Sequence, residues 1–451
     1  MAFQPDLIVR SQRVVTPGAI GPASIHVRGG KIVGVLGFGD VPAGCPIDDA
    51  DPAAVIPGGV DTHVHVNDAG VGGNGLELAT CAAAAGGITT VIAMPPNGAD
   101  ARQPAAMDGH TYVDVGFWAG VPRGNADECA SMVAAGVFGF ACSLEPSRGG
   151  WVSEADLRVA MPAITRLRVP LLVHAEAPAL PQDPATRRPA DNLLGRFLTS
   201  RCSRRSYKTY LESRPKEAEN EAIASMIALC REFGTQIHIV QLSSADALTP
   251  LFHARSARLP ITAETCPHYL SFVAEDIPDG GTVFKCAPPI RGRENREFLW
   301  AALAGGLIQM VVSDHSPAPP TMNARMSGDF TRAWAGIASV HLSLSVTWTG
   351  AAARQYSLNQ VTDWMCRNPA RLAGLNRKGA IEPGYDADLV VFDPDADFAV
   401  DAETLLEDGH TPYAGRRLRG IVERTYLRGR RIYERGQPFE SPAGWWLARN
   451  R

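Results

Sequence analysis

The sequence lacks the features of an exported or membrane-embedded chain. Its first residues, Met-Ala-Phe-Gln-Pro-Asp, contain neither the basic segment nor the apolar segment of a signal peptide. No uncharged apolar run approaches the length of about 18 residues that a membrane-spanning helix requires. The nine cysteines are scattered, and none forms a Cys-x-x-Cys metal motif. We therefore expect a cytoplasmic protein with reduced thiols and no contact with membranes.

The charge balance likewise gives no indication of a strongly charged partner such as nucleic acid. There are 43 lysines and arginines against 47 aspartates and glutamates, so the formal net charge is only -4. No basic excess of the kind that marks nucleic-acid-binding domains is present, and we expect no nucleic-acid partner. With 451 residues, of which 45% are apolar, the chain is long enough for one large globular domain and a smaller one.

The pattern of short apolar runs divides the chain into two kinds of structure. Residues 1–55 and 379–451 contain β-type runs separated by turn residues, and together they predict a small β-sandwich domain built from both chain ends. Residues 56–378 alternate apolar runs with segments rich in alanine and leucine. The eight predicted strands of this middle part are 59–65, 89–94, 113–118, 136–140, 170–174, 236–241, 261–265 and 310–314. Eight such alternations indicate an α/β fold, a (β/α)8 TIM barrel.

The candidate chemical groups lie at the ends of these predicted strands. His63 and His65 are one residue apart on a strand, so both side chains point to the same side and could share a metal ion. An isolated His-x-His pair is more often explained by hydrogen bonds to neighbouring groups. His174, Gln241 and Asp314, however, also end predicted strands, where barrels of this type carry their catalytic groups. This shared position favours a metal site.

Several longer motifs then carry a resemblance to a known family. They are Gly59-Val-Asp-Thr-His-Val-His, Leu172-Val-His-Ala-Glu, Glu264-Thr-Cys-Pro-His-Tyr-Leu, Lys285-Cys-Ala-Pro-Pro-Ile-Arg and Val312-Ser-Asp-His-Ser-Pro. As a set, these motifs resemble the cyclic amidohydrolases of the amidohydrolase superfamily over nearly the whole chain. Asn67-Asp68 and residues 328–337 resemble the branch that hydrolyses cyclic ureides such as allantoin. The resemblance implies a hydrolase that acts on the carbon–nitrogen bond of a cyclic amide.

The same resemblance implies a metal site that departs from the family pattern. Most members hold two metal ions, bridged by a carboxylated lysine on the fourth strand and bound by a histidine on the sixth. Those two positions are Ala141 and Gln241 here. Alanine cannot be carboxylated, and a glutamine carbonyl is a weaker ligand for zinc than imidazole. The expected cofactor is therefore one divalent ion, zinc in the first place, with iron and manganese as alternatives.

The remaining family positions complete the expected site. His63, His65, His174 and Asp314 would bind the ion, and Asp314 would also transfer the proton during catalysis. The resemblance further implies a substrate pocket, for which the candidate residues are Asn67, Asn97, Pro288 and Gly336. Amide side chains and backbone groups suit a neutral ureide, which presents alternating donors and acceptors. The family also implies a homo-oligomer, a dimer or a tetramer.

Two other functions stay open at this point. The loss of the lysine leaves room for a different substrate or for a ring-closing reaction on the same fold. Alternatively, the chain is a catalytically silent homologue that acts as a structural or regulatory partner. Metal content separates the silent homologue from the two enzymes, because a scaffold has no need to bind an ion.

Overall fold

The computed structural model describes residues 4–66, 75–95, 110–146, 150–177, 204–318, 328–401 and 411–449. The strands within these residues are β1 (Leu7–Thr16), β2 (Ala19–Arg28), β3 (Lys31–Leu36), β4 (Ile47–Asp49), β5 (Ala54–Pro57), β6 (Gly59–Val64), β7 (Ile88–Ala93), β8 (Asp114–Phe117), β9 (Ala119–Gly120), β10 (Phe140–Ser143), β11 (Leu171–His174), β12 (Ile237–Val240), β13 (Ile261–Thr265), β14 (Met310–Val311), β15 (Leu389–Ala399), β16 (Arg417–Leu427) and β17 (Arg430–Glu434).

The helices alternate with the middle group of strands. They are α1 (Gly75–Ala85), α2 (Glu128–Ala134), α3 (Glu154–Leu167), α4 (Tyr207–Ser213), α5 (Lys216–Phe233), α6 (Leu248–Ser256), α7 (Pro267–Ser271), α8 (Arg293–Ala304), α9 (Ser343–Ala352), α10 (Leu358–Thr362) and α11 (Asn368–Ala373). A π-helical turn, Asp363–Arg367, joins α10 to α11. Among the residues whose structure is described, no helix is both long and apolar enough to cross a membrane.

Strands from both ends of the chain form one eight-stranded sheet. Its order is β17-β16-β15-β5-β1-β2-β3, and β4 pairs with β1. The two ends meet where β15 runs antiparallel to β5, with Leu389 opposite Pro57 and Phe392 opposite Ala54. Ala54 and Phe392 pack in one buried cluster with residues of the barrel, whereas Leu389 packs within the sheet's own apolar cluster. The predicted additional β-domain is confirmed in this form.

The middle strands form the predicted parallel barrel. β6, β7 and β8 pair in sequence order, and β9 to β14 do the same. β8 and β9 are two halves of one strand interrupted at Trp118, whose backbone N–H donates to the Ala93 carbonyl, while the Ala119 N–H donates to Gly139. The barrel closes where Val64 bridges His315 in parallel. The strands are almost entirely buried, as expected for a sheet covered on both faces, and β7 and β12 are rich in β-branched residues.

One strand lies later in the chain than predicted. The fourth barrel strand was expected over residues 136–140, but β10 begins at Phe140, where that prediction ends. The reason is the backbone of Gly136, whose φ of 104° belongs to a turn rather than to an extended strand. As a result, Ala141 lies within the strand, paired with Leu172 of β11.

A buried group of charges joins the barrel to the sheet. Lys378 Nζ lies 2.8 Å from a carboxylate oxygen of Asp114 at the start of β8, and 2.6 Å from one of Asp388 just before β15. Arg428, between β16 and β17, lies 2.6 Å from Asp114 and donates its backbone N–H to Asp388. Burial alone would lower the pKa of Lys378, but the charges of Asp388 and Asp114 outweigh it and raise that pKa. The ammonium group is therefore charged in the folded protein.

Replacement of Lys378 by methionine tests this junction. Removing one partner of a buried ion pair leaves the other charge uncompensated, and we expect Lys378→Met to lower the free energy of unfolding by about 3–5 kcal/mol. Urea denaturation followed by circular dichroism measures the change. Lys216→Met is the matched control, because Lys216 forms one surface pair with Asp246, and we expect a change of about 1 kcal/mol or less. Equal effects of the two substitutions would contradict the proposed role of the junction.

Candidate metal centre and active site

Two histidines at the end of β6 meet an aspartate that follows β14. His63 Nε2 lies 3.3 Å from Asp314 Oδ1, and His65 Nε2 lies 3.6 Å from the same oxygen. The three ligand atoms all lie within 4.8 Å of one another. His63 and Asp314 are buried, whereas the His65 side chain is about one-third exposed. Hence the first and eighth barrel strands bring together three residues predicted from the sequence.

A buried glutamate fixes the orientation of His63. His63 Nδ1 donates to Glu264 Oε1 over 2.5 Å, and the other oxygen of Glu264 accepts a hydrogen bond of 2.9 Å from His238 Nε2. His238 Nδ1 contacts the Thr262 hydroxyl, so both of its ring nitrogens are engaged. Burial alone would raise the pKa of Glu264, but the charge of His63 and the two imidazole hydrogen bonds lower it to about 2. Glu264 is therefore ionised and holds the Nδ1 proton of His63.

This orientation provides a test of whether a metal ion fits. Because Nδ1 of His63 carries the proton, the lone pair of Nε2 faces Asp314 Oδ1, which is also an acceptor. Two acceptors 3.3 Å apart need a cation or a proton between them. In the protein without a metal, burial lowers the pKa of His63, and the charges of Asp314 and Glu264 overcome that effect and raise it. Two imidazoles and a carboxylate, with one histidine held by a carboxylate, suit a divalent ion with an open coordination position.

Asp61 connects the two strands that carry these ligands. Its Oδ1 accepts the backbone N–H of His63, and its Oδ2 accepts that of Ser313, each over 3.1 Å. Burial raises the pKa of Asp61 to about 6. Asp314 itself has a φ of 47°, a left-handed conformation that is uncommon outside glycine and often found at functional sites. The strand ends are thus held in one arrangement.

His174 is placed differently from the other predicted ligands. Its Nδ1 is hydrogen-bonded to Gln241 Oε1 over 2.8 Å, and its Nε2 lies 3.4 Å from Glu176 Oε2. Gln241 adopts a φ of 56° at the end of β12, which turns its side chain toward His174. The structure does not bring His174 into the group formed by His63, His65 and Asp314. Gln241 and Glu176 thus engage the two ring nitrogens of His174.

Ala141, at the position of the bridging lysine in the family, lies in an apolar environment. Its side chain is 2% exposed. The buried residues of its cluster are Ile92, Trp118, Phe138, Leu172, Val240 and Ala373. Glu145, the carboxylate four residues later, instead lies 3.6 Å from Arg214. Ala141 therefore packs among apolar side chains, and Glu145 is engaged by Arg214.

Sequence reasoning missed the ion pair beside His174. Arg214 donates to both oxygens of Glu176, over 2.8 and 2.5 Å. Glu176 is buried, and burial would raise its pKa, but the hydrogen bond from His174 and the charge of Arg214 lower it. The Leu172-Val-His-Ala-Glu motif contains Glu176 and was a usable signal. Arg214 lies 38 residues further along the chain, and nothing in the sequence pairs the two.

The predicted substrate-binding residues are partly described. Asn67 and Asn97 lie outside the described residues. The carbonyl of Pro288 accepts a hydrogen bond of 2.7 Å from the Tyr269 hydroxyl. A Cβ on Gly336 would lie 2.6 Å from the carbonyl oxygen of Ser316, two residues after Asp314. Gly336 therefore packs closely against the segment that follows the eighth strand. A side chain at position 336 would push the Ser316 carbonyl away.

A closed parallel barrel with two histidines on its first strand and an aspartate after its eighth defines a metal-dependent hydrolase of the TIM-barrel class. The chain belongs to the amidohydrolase family, whose model matches residues 54–432. It is 42% identical to the allantoinase of Streptomyces avermitilis, over 98% of this chain and 99% of that protein. It is 36% identical to the allantoinase of Arabidopsis thaliana, over 97% of this chain and 90% of the relative.

A solved structure confirms the barrel fold. The L-hydantoinase (dihydropyrimidinase) from Arthrobacter aurescens superposes with a TM-score of 0.87 at 29% sequence identity. The match covers 99% of this chain and all of that one. Sequence and structure comparisons therefore place the whole chain, including the sheet built from its two ends, among the amidohydrolases.

Replacement of Glu264 by glutamine tests the support of His63. A group that orients a metal-binding histidine typically contributes 10–100-fold to metal affinity, and we expect Glu264→Gln to weaken zinc binding by about that factor. Competition with a chromophoric chelator measures the affinity. Glu297→Gln, at a half-exposed surface ion pair with Arg354, should leave it unchanged. Undiminished zinc affinity in a folded Glu264→Gln variant would exclude this role for Glu264.

Proposed function

We propose that this protein is an allantoinase, which opens the ring of allantoin by hydrolysing a cyclic amide bond. The observation that carries the proposal is the convergence of His63, His65 and Asp314, with a lone pair of His63 directed at the Asp314 carboxylate. Full-length similarity to the allantoinases of Streptomyces avermitilis and Arabidopsis thaliana supports the choice of substrate.

We further propose one divalent ion in this catalytic site, zinc in the first place, with His63, His65 and Asp314 as ligands. When bound, such an ion polarises the substrate carbonyl and activates water for attack. The apolar surroundings of Ala141 and the hydrogen bond between Gln241 and His174 support a site without the second, lysine-bridged ion of the family. His174 then acts beside the site, held between Gln241 and Glu176, instead of as a fourth ligand.

Asp314 is the residue we assign to proton transfer. Its carboxylate takes the proton that the attacking water loses and delivers it to the ring nitrogen as the carbon–nitrogen bond breaks. The strained backbone at Asp314 and the hydrogen bonds of Asp61 to both strand ends keep this carboxylate close to His63 and His65. Trp334, whose indole N–H donates to the Ser316 carbonyl over 3.1 Å, stands at the same end of the barrel and is suited to line the pocket.

Other features of the protein follow as proposals. The pairing of β5 with β15 supports a division into a composite domain of residues 1–55 and 379–451 and a barrel of residues 56–378. No disulfide joins any two of the described cysteines, which supports a cytoplasmic location. The resemblance to the family supports a homo-oligomer, a dimer or a tetramer.

An allantoin assay with defined metal content tests the function. We expect the protein loaded with one equivalent of zinc to open the allantoin ring, and Asp314→Asn to lower the rate about 10²–10⁴-fold, the usual contribution of a general acid–base group. Asp246→Asn is the matched control, since Asp246 forms only a surface pair with Lys216, and it should retain full activity. Allantoin consumption and elemental analysis are measured on the same preparations.

The alternative outcomes distinguish the other functions. Bound zinc without allantoin turnover, but with turnover of hydantoin or a dihydropyrimidine, would contradict the proposed substrate and indicate a changed specificity. Neither bound metal nor turnover of any cyclic amide would contradict the enzyme itself and favour a silent homologue. Full activity of the Asp314→Asn variant would exclude the proton-transfer role alone.

A further inference from the structure

A second set of metal-ligating atoms shares Asp314 but none of the other proposed ligands. One atom each from Cys266, His268 and Asp314 lies within 4.8 Å of the other two, and all three residues are buried. Cys266 and His268 follow β13, the seventh barrel strand, whereas His63 and His65 end the first. The two sets are therefore separate groups that meet at one carboxylate.

His268 is the most informative member of this second group. Its side chain is fully buried, and neither ring nitrogen has a hydrogen-bond partner among the described residues. Its ring packs edge-on against that of Tyr269, with centroids 4.2 Å apart, which engages the ring but neither nitrogen. Buried polar groups in folded proteins nearly always have a partner, so an unmatched one indicates a missing water, ion or ligand. The neighbouring thiol and carboxylate make an ion the best match.

We propose that Cys266, His268 and Asp314 form a second metal site, for a divalent ion of borderline softness such as zinc or cobalt. Thiolate, imidazole and carboxylate together are the ligand types such ions prefer, and three protein ligands leave one position open. Bonds of about 2.0–2.3 Å in a tetrahedral site place ligand atoms roughly 3.3–3.8 Å apart. Because the three atoms already lie within 4.8 Å of one another, each pair would have to approach by at most about 1.5 Å to close on an ion.

The chemistry of binding at this site is a simple exchange. The Cys266 thiol releases its proton to solvent as the sulfur–metal bond forms, and neither the sulfur nor the ion changes oxidation state. His268 binds as a neutral imidazole, and Asp314 contributes a carboxylate oxygen. Because Asp314 belongs to both groups, its carboxylate would contribute to both sites, and neither site would need a lysine at position 141. This goes beyond the proposed function, which requires only the first ion.

Titration of the metal-free protein with Co²⁺ tests the proposal. We expect two equivalents to bind, one of them with a thiolate-to-cobalt charge-transfer absorption. Cys266→Ser should abolish this band and lower the stoichiometry from two to one. His268→Gln should keep the band but weaken the cobalt affinity that produces it at least tenfold. The matched control is Cys230→Ser, at a buried thiol 3.4 Å from the Thr235 carbonyl, which should leave the band intact.

The outcomes separate this site from the first one. A wild-type protein that binds one equivalent without the band would overturn the proposal, as would a band that survives Cys266→Ser. In a His65→Asn variant, which disrupts the first group, persistence of the band would support an independent second site, and its loss would overturn that independence. Circular dichroism confirms that each variant is folded. Allantoin turnover is assayed in parallel. A protein that shows the band but does not turn over allantoin would contradict the proposed function and support the second site. A protein that turns over allantoin but shows no band would do the opposite.

Discussion

The carboxylate of Asp61 joins the first barrel strand to the chain that follows the last one, and the site depends on that closure. One of its oxygens accepts the N–H of His63 and the other that of Ser313, although 252 positions separate Asp61 from Ser313. Parallel strands so far apart in sequence have no local reason to be in register. Two histidines and Asp314 can surround one point only if this register is set closely, and the hydrogen bonds of the buried Asp61 side chain tie the two strand ends together at that place.

A buried ionised network then extends from this closure around the barrel. Glu264 links His63 to His238, and therefore the first strand to the sixth and seventh. Gln241 and His174 link the sixth strand to the fifth, and Arg214 connects that pair through Glu176 to a helix outside the barrel. Each charged group in this network has an opposite charge or a hydrogen-bond donor beside it, which is the condition for keeping charges in a protein interior.

Local patterns were sufficient to predict most of the fold and the first ligands. Short apolar runs predicted the barrel strands, and the spacing of His63 and His65 placed both side chains on one side. β10 begins later than predicted because the backbone turns at Gly136. A run of apolar residues in the sequence gives no sign of such a turn. The engagement of His174 by Gln241, and the approach of Cys266 and His268 to Asp314, depend on which strand ends become neighbours in space. His268 was not among the candidate site residues, since nothing local in the sequence distinguishes a buried imidazole without hydrogen-bond partners from one that has them.

The composite sheet has a consequence for biosynthesis. β5 directly precedes the first barrel strand, and its antiparallel partner is β15, with Pro57 opposite Leu389. Roughly 330 residues must therefore be translated after β5 before that partner exists, which takes on the order of twenty seconds to a minute at about 5–20 residues per second. During this interval one edge of β5 has no strand beside it, and an exposed strand edge readily pairs with other chains. The β5 edge must therefore stay clear of other chains until the C-terminal segment has been synthesised.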